Sequence, residues 1–418
     1  MKLLTAAIFV LLFFSSCYSQ NENSSIKKSE SKILAGAERI NVYLPLIKGK
    51  RIGIFANQTS MVGNIHLVDT LLSLGIDIKL IFSPEHGFRG NAPDGVTIRD
   101  DKDFKTGLPI VSLYGNKKVP SAEDLKKVDV LLFDIQDVGA RFYTYISSMQ
   151  DFLECALENH KPLIILDRPN PNGFYIDGPV LDMKYKSFIG MQPVPVVYGM
   201  TMAEYAMMLL GEKWLSPKAN EINAYNITTN PTIDTPFHVQ FIKCQNYTHK
   251  SKYILPVNPS PNLPNMQAVY LYPSICLFEG TTLSEGRGTD KQFQVFGHPD
   301  LPKNLYAFTP NPNAASNSSK NFGKVCYGWY ISGTPEDILK QLNGKLQLKW
   351  LIEAYKLFPD KENFFLPGNA FELRAGTSDL RQQLKKGNTE EEIRKSWEPA
   401  LSEFKKIRKK YLLYEDFE

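Results

Sequence analysis

Histidine and cysteine are scarce in this 418-residue chain, which holds six of the first and five of the second. The histidines stand apart, and the cysteines form no CxxC pair and show no other ligand spacing. A metal site is therefore not expected. Glycine-rich phosphate motifs are missing as well. The first apolar strand pattern, RIGIFAN at 51–57, runs into ANQTSMVGN, where Gly63 is the one glycine available. A pyrophosphate cradle needs glycines that let backbone amides approach the ligand at a helix start. Nicotinamide cofactors and P-loop nucleotides are excluded on that ground, and no cofactor is expected. No GxSxG elbow occurs, which removes the serine nucleophile of α/β-hydrolases. The formal charge of +4 is spread along the chain without a basic stripe interleaved with aromatics. Nucleic acid is thus not a partner.

Long apolar runs are also lacking. Residues 3–14 are apolar behind Lys2, but a membrane-spanning helix needs roughly 20 such residues. Residues 1–19 read instead as an export signal. Phe14-Ser15-Ser16-Cys17 resembles a relaxed lipobox, in which Cys17 is lipidated and becomes the mature N-terminus. Cleavage after Ser19 without lipid is the competing reading. The polar stretch 20–32, QNENSSIKKSESK, reads as a flexible tether. The expectation is an exported protein, periplasmic or lipid-anchored, whose only membrane attachment is through Cys17. Cys155, Cys244, Cys276 and Cys326 are expected as buried free thiols, since Cys155 sits in a helical pattern and Cys276 in an apolar run.

What the chain does have is a regular alternation. Strand patterns at 51–57, 77–83, 109–115, 128–137 and 161–169 are interleaved with helical patterns at 64–75 and 144–160. Helical crossovers imply a parallel sheet, and continuously apolar strands imply that both its faces are covered. The predicted class is α/β: a Rossmann-like three-layer sandwich with a mostly parallel sheet over residues 33–215. Within 193–215, PVPVV reads as a further strand, Gly199 as a turn and Thr201 as the N-cap of a helix. The character then changes. Residues 216–418 are proline-rich and aromatic, end in an amphipathic helix whose apolar face closes them, and read as a second domain.

In an open parallel sheet the ligand crevice lies beyond the carboxyl ends of the strands. Glu85, in SPEHGFRG, follows the second strand; Asp134 and Asp137 close the fourth; Asp167 closes the fifth in LDRPN. Parallel strands bring these carboxylates to one edge. His86 and Arg89 flank Glu85, and Arg141, Tyr143 and Tyr145 follow Asp137 at the expected start of a helix. In the second half Glu279, Glu285 and Arg287 stand in EGTTLSEGRGT. Glycines on both sides of Arg287 let the backbone approach a ligand while the guanidinium reaches a carboxylate or hydroxyls.

SPEHGFRG, FDIQDVGARFYTYI, LDRPNP, YGMTMAE, SPNLP, EGTTLSEGRGT and KKYLLY, in this order, resemble the NamZ-type exo-β-N-acetylmuramidase family of bacterial exported proteins. The resemblance spans nearly all of the chain after residue 33. It implies a Rossmann-like N-terminal domain, a smaller C-terminal α/β domain over residues 216–418 with a cleft between the two, and a glycosidase that removes N-acetylmuramic acid from the non-reducing end of peptidoglycan fragments during cell-wall turnover or recycling. Its partners would be peptidoglycan-derived saccharides. Asp290-Lys291-Gln292 depart from the pattern, standing where a basic residue and a proline are expected.

Glycoside hydrolysis commonly uses two carboxyl groups, one protonating the leaving oxygen and one acting as nucleophile or as base for water. Glu85 is the expected acid, its loop burying it near Phe88 and raising its pKa. Asp134 or Asp137 is the expected second carboxylate, assisted by Tyr143 or Tyr145. The substrate's N-acetyl group as internal nucleophile is the other route. Arg89, Arg141 or Arg287 would pair with the lactyl carboxylate of muramic acid. His86, Tyr145, Asp167, Arg168, Asn170, Glu279 and Glu285 complete the expected substrate side. Two other readings stand beside this one: a lipoprotein that binds muropeptides without cleaving them, and a peptidoglycan amidase.

Overall fold

RIGIFA is buried at every position but its first, and it forms the middle of the sheet. The computed structural model describes residues 31–90, 100–223, 227–228 and 239–418. The expected export signal with Cys17, and the expected tether as far as residue 30, lie outside the described residues.

The strands are β1 (Arg51–Ala56), a small hairpin of β2 (Met61–Val62) and β3 (Ile65–His66), β4 (Asp77–Ser83), β5 (Asp101–Lys102), β6 (Pro109–Ser112), β7 (Val130–Asp134), β8 (Leu163–Leu166), β9 (Ile227–Thr228) and β10 (Val239–Ile242). Eight of them form one sheet in the order β5-β6-β4-β1-β7-β8-β10-β9. Every pairing in it is parallel except β5 on β6. Alternate side chains of the apolar strands serve opposite faces. Phe55, Phe82, Phe133 and Ile165 point to one side with Phe152 of helix α4 (Tyr145–Glu158). Ile54, Ile81, Leu132 and Ile164 point to the other, with Tyr43 and Ile47 of α1 (Ile40–Ile47) and Leu71 of α2 (Leu67–Ser73). Three layers result, as the continuous strands predicted.

Residues 33–418 form one compact unit. The sheet takes β9 and β10 from beyond residue 215, where the second domain was expected to begin. VQFI in β10 is four residues long in a polar stretch, too short to show a period. The expected strand at 193–197 is instead irregular backbone, tied by isolated bridges from Val197 to Ala140 and Asp177. Thr201 does cap its helix, accepting from the Glu204 amide in a reciprocal capping box.

The C-terminal part is built from helix α7 (Met266–Ile275), a three-stranded antiparallel sheet of β11 (Val295–His298), β12 (Tyr306–Phe308) and β13 (Cys326–Tyr330), and further helices. The last of these, Glu390–Lys409, buries Ile393, Trp397, Leu401 and Phe404. Its basic cluster is not wholly solvated: Arg408 is buried and forks onto Asp416 at 2.7 and 2.8 Å. One apolar core runs from Phe55 to Phe296, Trp350 and Phe404, so this part and one face of the large sheet pack as a single body. Cys155, Cys244, Cys276 and Cys326 are buried and free. No helix among the described residues is long and apolar enough to cross a membrane.

Candidate active site

The strand order reverses at β1, which has β4 on one side and β7 on the other. Such a reversal opens a crevice above the strand ends, and the loops after β1, β4 and β7 meet there. After β4 the chain turns back at once: the Gly87 amide donates to the Pro84 carbonyl at 3.1 Å. His86 and Gly87 both take positive φ, 67° and 77°. Histidine accepts this left-handed region better than bulky or branched residues do, and the reversal holds Glu85 at the head of the strand. Glu85 Oε1 accepts from the Tyr114 hydroxyl at 2.7 Å, and Tyr114 lies two residues beyond the neighbouring strand β6. His86 Nε2 lies 3.3 Å from Ser260 Oγ.

The exit of β7 supplies aromatic rings. Tyr145 opens α4 and accepts from Asn57 Nδ2 at 3.0 Å; Tyr143 donates to the Pro259 carbonyl at 2.8 Å. The rings of Tyr143 and Tyr145 pack edge to face at 4.8 Å, Tyr272 stands 5.8 Å from Tyr143, and Phe293 stands 4.9 Å from Tyr272. Burial pushes both phenols well above their ordinary value, and for Tyr145 the nearby charge of Glu85 adds to it. They stay protonated and able to donate.

The opposite wall carries the charge. Glu279 ends a 3₁₀ turn, Cys276–Gly280, that continues α7. Its Oε1 accepts from Arg287 at 2.7 Å, and its Oε2 accepts from Arg374 at 2.9 and 2.7 Å. Burial opposes ionisation of Glu279, but the two guanidiniums outweigh it and hold the carboxyl well below the usual range. Arg287 also lies 5.1 Å over the ring of Phe293, a cation–π distance. Its loop is folded by Gly286 and Gly288, at φ 83° and 79°. A side chain at Gly288 would meet the Asn311 carbonyl at 2.6 Å. Glu85, His86, Tyr143, Tyr145, Glu279, Arg287 and Arg374 enclose one cavity of about 280 Å³.

Several expected site residues stand behind this cavity instead of in it. Asp134 and Arg168 form a buried fork, Nε to Oδ1 at 2.6 Å and Nη2 to Oδ2 at 2.8 Å. Asp137 is buried, accepting from the Gly139 amide at 2.6 Å and from the Tyr198 hydroxyl. Asp167 is closed off by the Tyr414 hydroxyl at 2.5 Å and the Ala203 amide at 3.0 Å. Each carboxylate at a strand end is thus consumed by the loops it anchors. Asn170 donates to the Met200 carbonyl at 2.8 Å. Arg141 does not open α4 but precedes it, and its guanidinium caps the carbonyls of Pro179, Val194 and Arg374 at 2.8 to 2.9 Å. Arg89 turns away to fork onto Asp103 at 3.0 and 2.8 Å. Glu285 stands behind Arg287, 3.3 Å from its Nε. Phe88, expected to cover Glu85, packs its ring 4.8 Å from His66 in the core. The carboxyl that shares the cavity with Glu85 is Glu279, not Asp134 or Asp137.

Tyr114, Ser260, Tyr272 and Arg374 were not anticipated. Tyr114 was within reach of the strand-end rule, since it follows PIVS. Arg374 lies in the short helix Ala370–Ala375, a plain charged position with no local signal.

An acid held at a strand end, a second carboxyl kept ionised, and aromatic rings between them are the equipment of a glycoside hydrolase on an α/β scaffold. Comparison with known proteins agrees. Residues 52–267 match the N-terminal and residues 270–414 the C-terminal model of exo-β-N-acetylmuramidase NamZ, and the chain belongs to that family. It is 36% identical to the peptidoglycan β-N-acetylmuramidase NamZ of Bacillus subtilis strain 168, over 97% of each chain. Crystal structures of two DUF1343 family proteins from Bacteroides fragilis NCTC 9343 are also similar. One has a TM-score of 0.80 at 46% identity and covers 92% of this chain and all of its own. The other has a TM-score of 0.69 at 27% identity, with 92% and 99% covered.

Proposed function

We propose that this chain is an exo-β-N-acetylmuramidase that releases N-acetylmuramic acid from the non-reducing end of peptidoglycan fragments, for cell-wall turnover or recycling. The observation that carries the reading is that Glu85 and Glu279 line one cavity in contrasting surroundings, with Arg287 and Arg374 beside them. Glu85, partly open to the cavity, is assigned as the general acid. Glu279 has both oxygens engaged by guanidiniums, which makes it a poor nucleophile. It serves as a fixed anion that orients the arginines and the substrate. Arg287 and Arg374 form the anion-recognising side, matching the carboxylate of the lactyl group. A cavity of about 280 Å³, just below the roughly 300–1,000 Å³ usual for ligand sites, suits one terminal sugar, as exo cleavage requires. Tyr143 and Tyr145 offer ring faces to it, and Tyr145, whose hydroxyl accepts from Asn57, offers its phenol proton to a sugar hydroxyl.

The test is release of free N-acetylmuramic acid from the disaccharide MurNAc-GlcNAc by the wild type and by Glu85→Gln, both checked for equal folding. Release by the wild type alone is the expected result. Release by neither protein would hand the site to a muropeptide-binding or amidase role, and equal release by both would remove Glu85 from the chemistry.

Residues 33–215 and 216–418 are read as two halves closing on the cavity, which takes Glu85 and Tyr143 from the first and Ser260, Glu279 and Arg374 from the second. Export and attachment through a lipid on Cys17 are proposed from the leader alone. Cys17→Ser should then move the protein from the membrane to the soluble fraction; an unchanged distribution rejects the anchor.

A further inference from the structure

Lys320 lies behind the wall that carries Glu279. Its ammonium donates to the carbonyls of Phe278 at 2.6 Å and Thr281 at 2.9 Å, and pairs with Glu285 at 2.9 Å. The two carbonyls stand at the close of the 3₁₀ turn of Glu279, where a cation is favoured; that of Phe278 also accepts from the Thr281 amide and hydroxyl. Glu285 sits 3.3 Å from Nε of Arg287, and the Nη2 of the same arginine reaches Glu279 at 2.7 Å. Lys320, Glu285, Arg287, Glu279 and Arg374 therefore form a chain of alternating sign. Neither Lys320 nor Glu285 lines the cavity.

Arg287 is placed between two carboxylates that both need it. The Glu285 side chain is 3% exposed, so water cannot serve it and a cation must. With Lys320 present, Glu285 has a cation of its own. Without it, Glu285 would draw Arg287 into a two-pronged fork, the geometry a guanidinium prefers. Glu279 would then keep Arg374 alone. We propose that Lys320 is a positioning residue: by neutralising Glu285 it commits Arg287 to Glu279 and so fixes the charge of the cavity's permanent anion.

Other ionisable groups near Glu279 do not blur the readout. Burial pushes the Tyr272 phenol and the Cys276 thiol well above their ordinary values, so both stay neutral through the working range. His298 lies near Lys320, and burial lowers its pKa. Glu85 faces the cavity from the opposite wall.

The test uses the whole chain as Lys320→Met, Lys320→Met/Glu285→Gln and Lys320→Arg. Two readouts are taken: the pH titration of the Glu279 carboxyl by carbon NMR, assigned through Glu279→Gln, and the pH profile of kcat/KM on MurNAc-GlcNAc. The kinetic arm alone rests on the muramidase reading. Lys320→Met should raise the Glu279 midpoint, and with it the acid limb of the profile, by about one pH unit, the span of a tenfold change in protonation. The double variant removes Lys320 together with the carboxylate that competes for Arg287 and should return the midpoint to within about 0.3 unit of the wild type. Lys320→Arg keeps the charge and should match the wild type. An unmoved midpoint in Lys320→Met, or a double variant no better than the single one, overturns the proposal. If Lys320→Met does not fold, Glu285→Gln decides: its Glu279 midpoint must stay at or below that of the wild type, and a rise refutes the contest. A wild type inactive on the disaccharide sinks the muramidase reading, while the titration still judges Lys320.

Discussion

Two sets of acids occupy the same edge of the molecule and have opposite fates. Asp134, Asp137 and Asp167 stand at the ends of strands or just past them, and each is closed by partners of its own: Arg168, Tyr198 and Tyr414. Glu85, on the turn two residues past β4, and Glu279, on the 3₁₀ turn after Ile275, both face the cavity. A carboxylate at a strand end is available to tie down the loop that follows, because backbone amides and loop side chains arrive there together. Distance from the strand does not decide the outcome, since Asp137 stands three residues past β7 and is closed, while Glu85 stands two past β4 and faces the cavity. In this fold, the partners that the loops deliver separate acids that hold the edge together from acids that can meet a ligand.

The largest expected effect that sharpens this contrast is Glu85→Gln, which should cost about 10²–10⁴-fold in kcat/KM for N-acetylmuramic acid release, the usual weight of a general acid. Its melting temperature should stay close to the wild type's. Asp134→Ala should do the reverse. It strands the Arg168 guanidinium in the core, and chemical denaturation should report a loss of about 3–5 kcal/mol. A stable but inactive Asp134→Ala would break the division and return Asp134 to the chemistry.

Arg287→Lys comes next. An ammonium cannot reach Glu279 and Glu285 while also covering Phe293, so KM for muramyl substrates should rise about tenfold, close to the ~1.4 kcal/mol of one charge-assisted hydrogen bond. Unchanged kinetics would place Arg287 with the structural group.

The smallest effect is in pH dependence. Burial, opposed by the Tyr198 and Gly139 hydrogen bonds, raises the Asp137 pKa to about 6 from an ordinary 3.8. The folded state thus holds this proton over a pH range in which the unfolded chain has lost it. Its contribution to stability is present below about pH 4 and is lost as pH rises through about 6, with a slope of at most ~1.4 kcal/mol per pH unit. Melting curves of Asp137→Asn and wild type should therefore diverge between about pH 4 and 7, in favour of the variant as pH rises. Parallel curves would mean that Asp137 is ionised throughout and better served than its burial suggests.

The sequence made the sheet legible because RIGIFA, DIKLIFS and VLLFD each hold an unbroken apolar run, at 52–56, 80–82 and 130–133, and a sheet covered on both faces wants such strands. It made Glu85 legible because it follows β4 by two residues, and Tyr143 and Tyr145 because they stand where the helix after β7 begins. It could not tell which side of the edge Asp134 or Asp137 would face. That depends on partners far along the chain, such as Arg168 and Tyr198. Glu279 and Arg287 were visible through the glycines around them, but their pairing was not. Arg374 gave no sign, since a single arginine in a short amphipathic helix is indistinguishable from a solvated one. The short β10 and the irregular 193–197 escape the sequence for related reasons: four residues, three of them apolar, carry too little pattern, and PVPVV carries a pattern that tertiary contacts override.

Glu279 receives one guanidinium from eight residues away and the other from ninety-five residues away, in the helix Ala370–Ala375. The long partner sets the order of assembly. A nascent chain that has not yet delivered residue 374 holds every strand of its large sheet, but its anion has half its clamp. Loop-closure entropy makes that distant pairing one of the later events of folding. Competence for catalysis is thereby postponed to the last stage of chain delivery, and a truncated product, however well its sheet has formed, is catalytically silent.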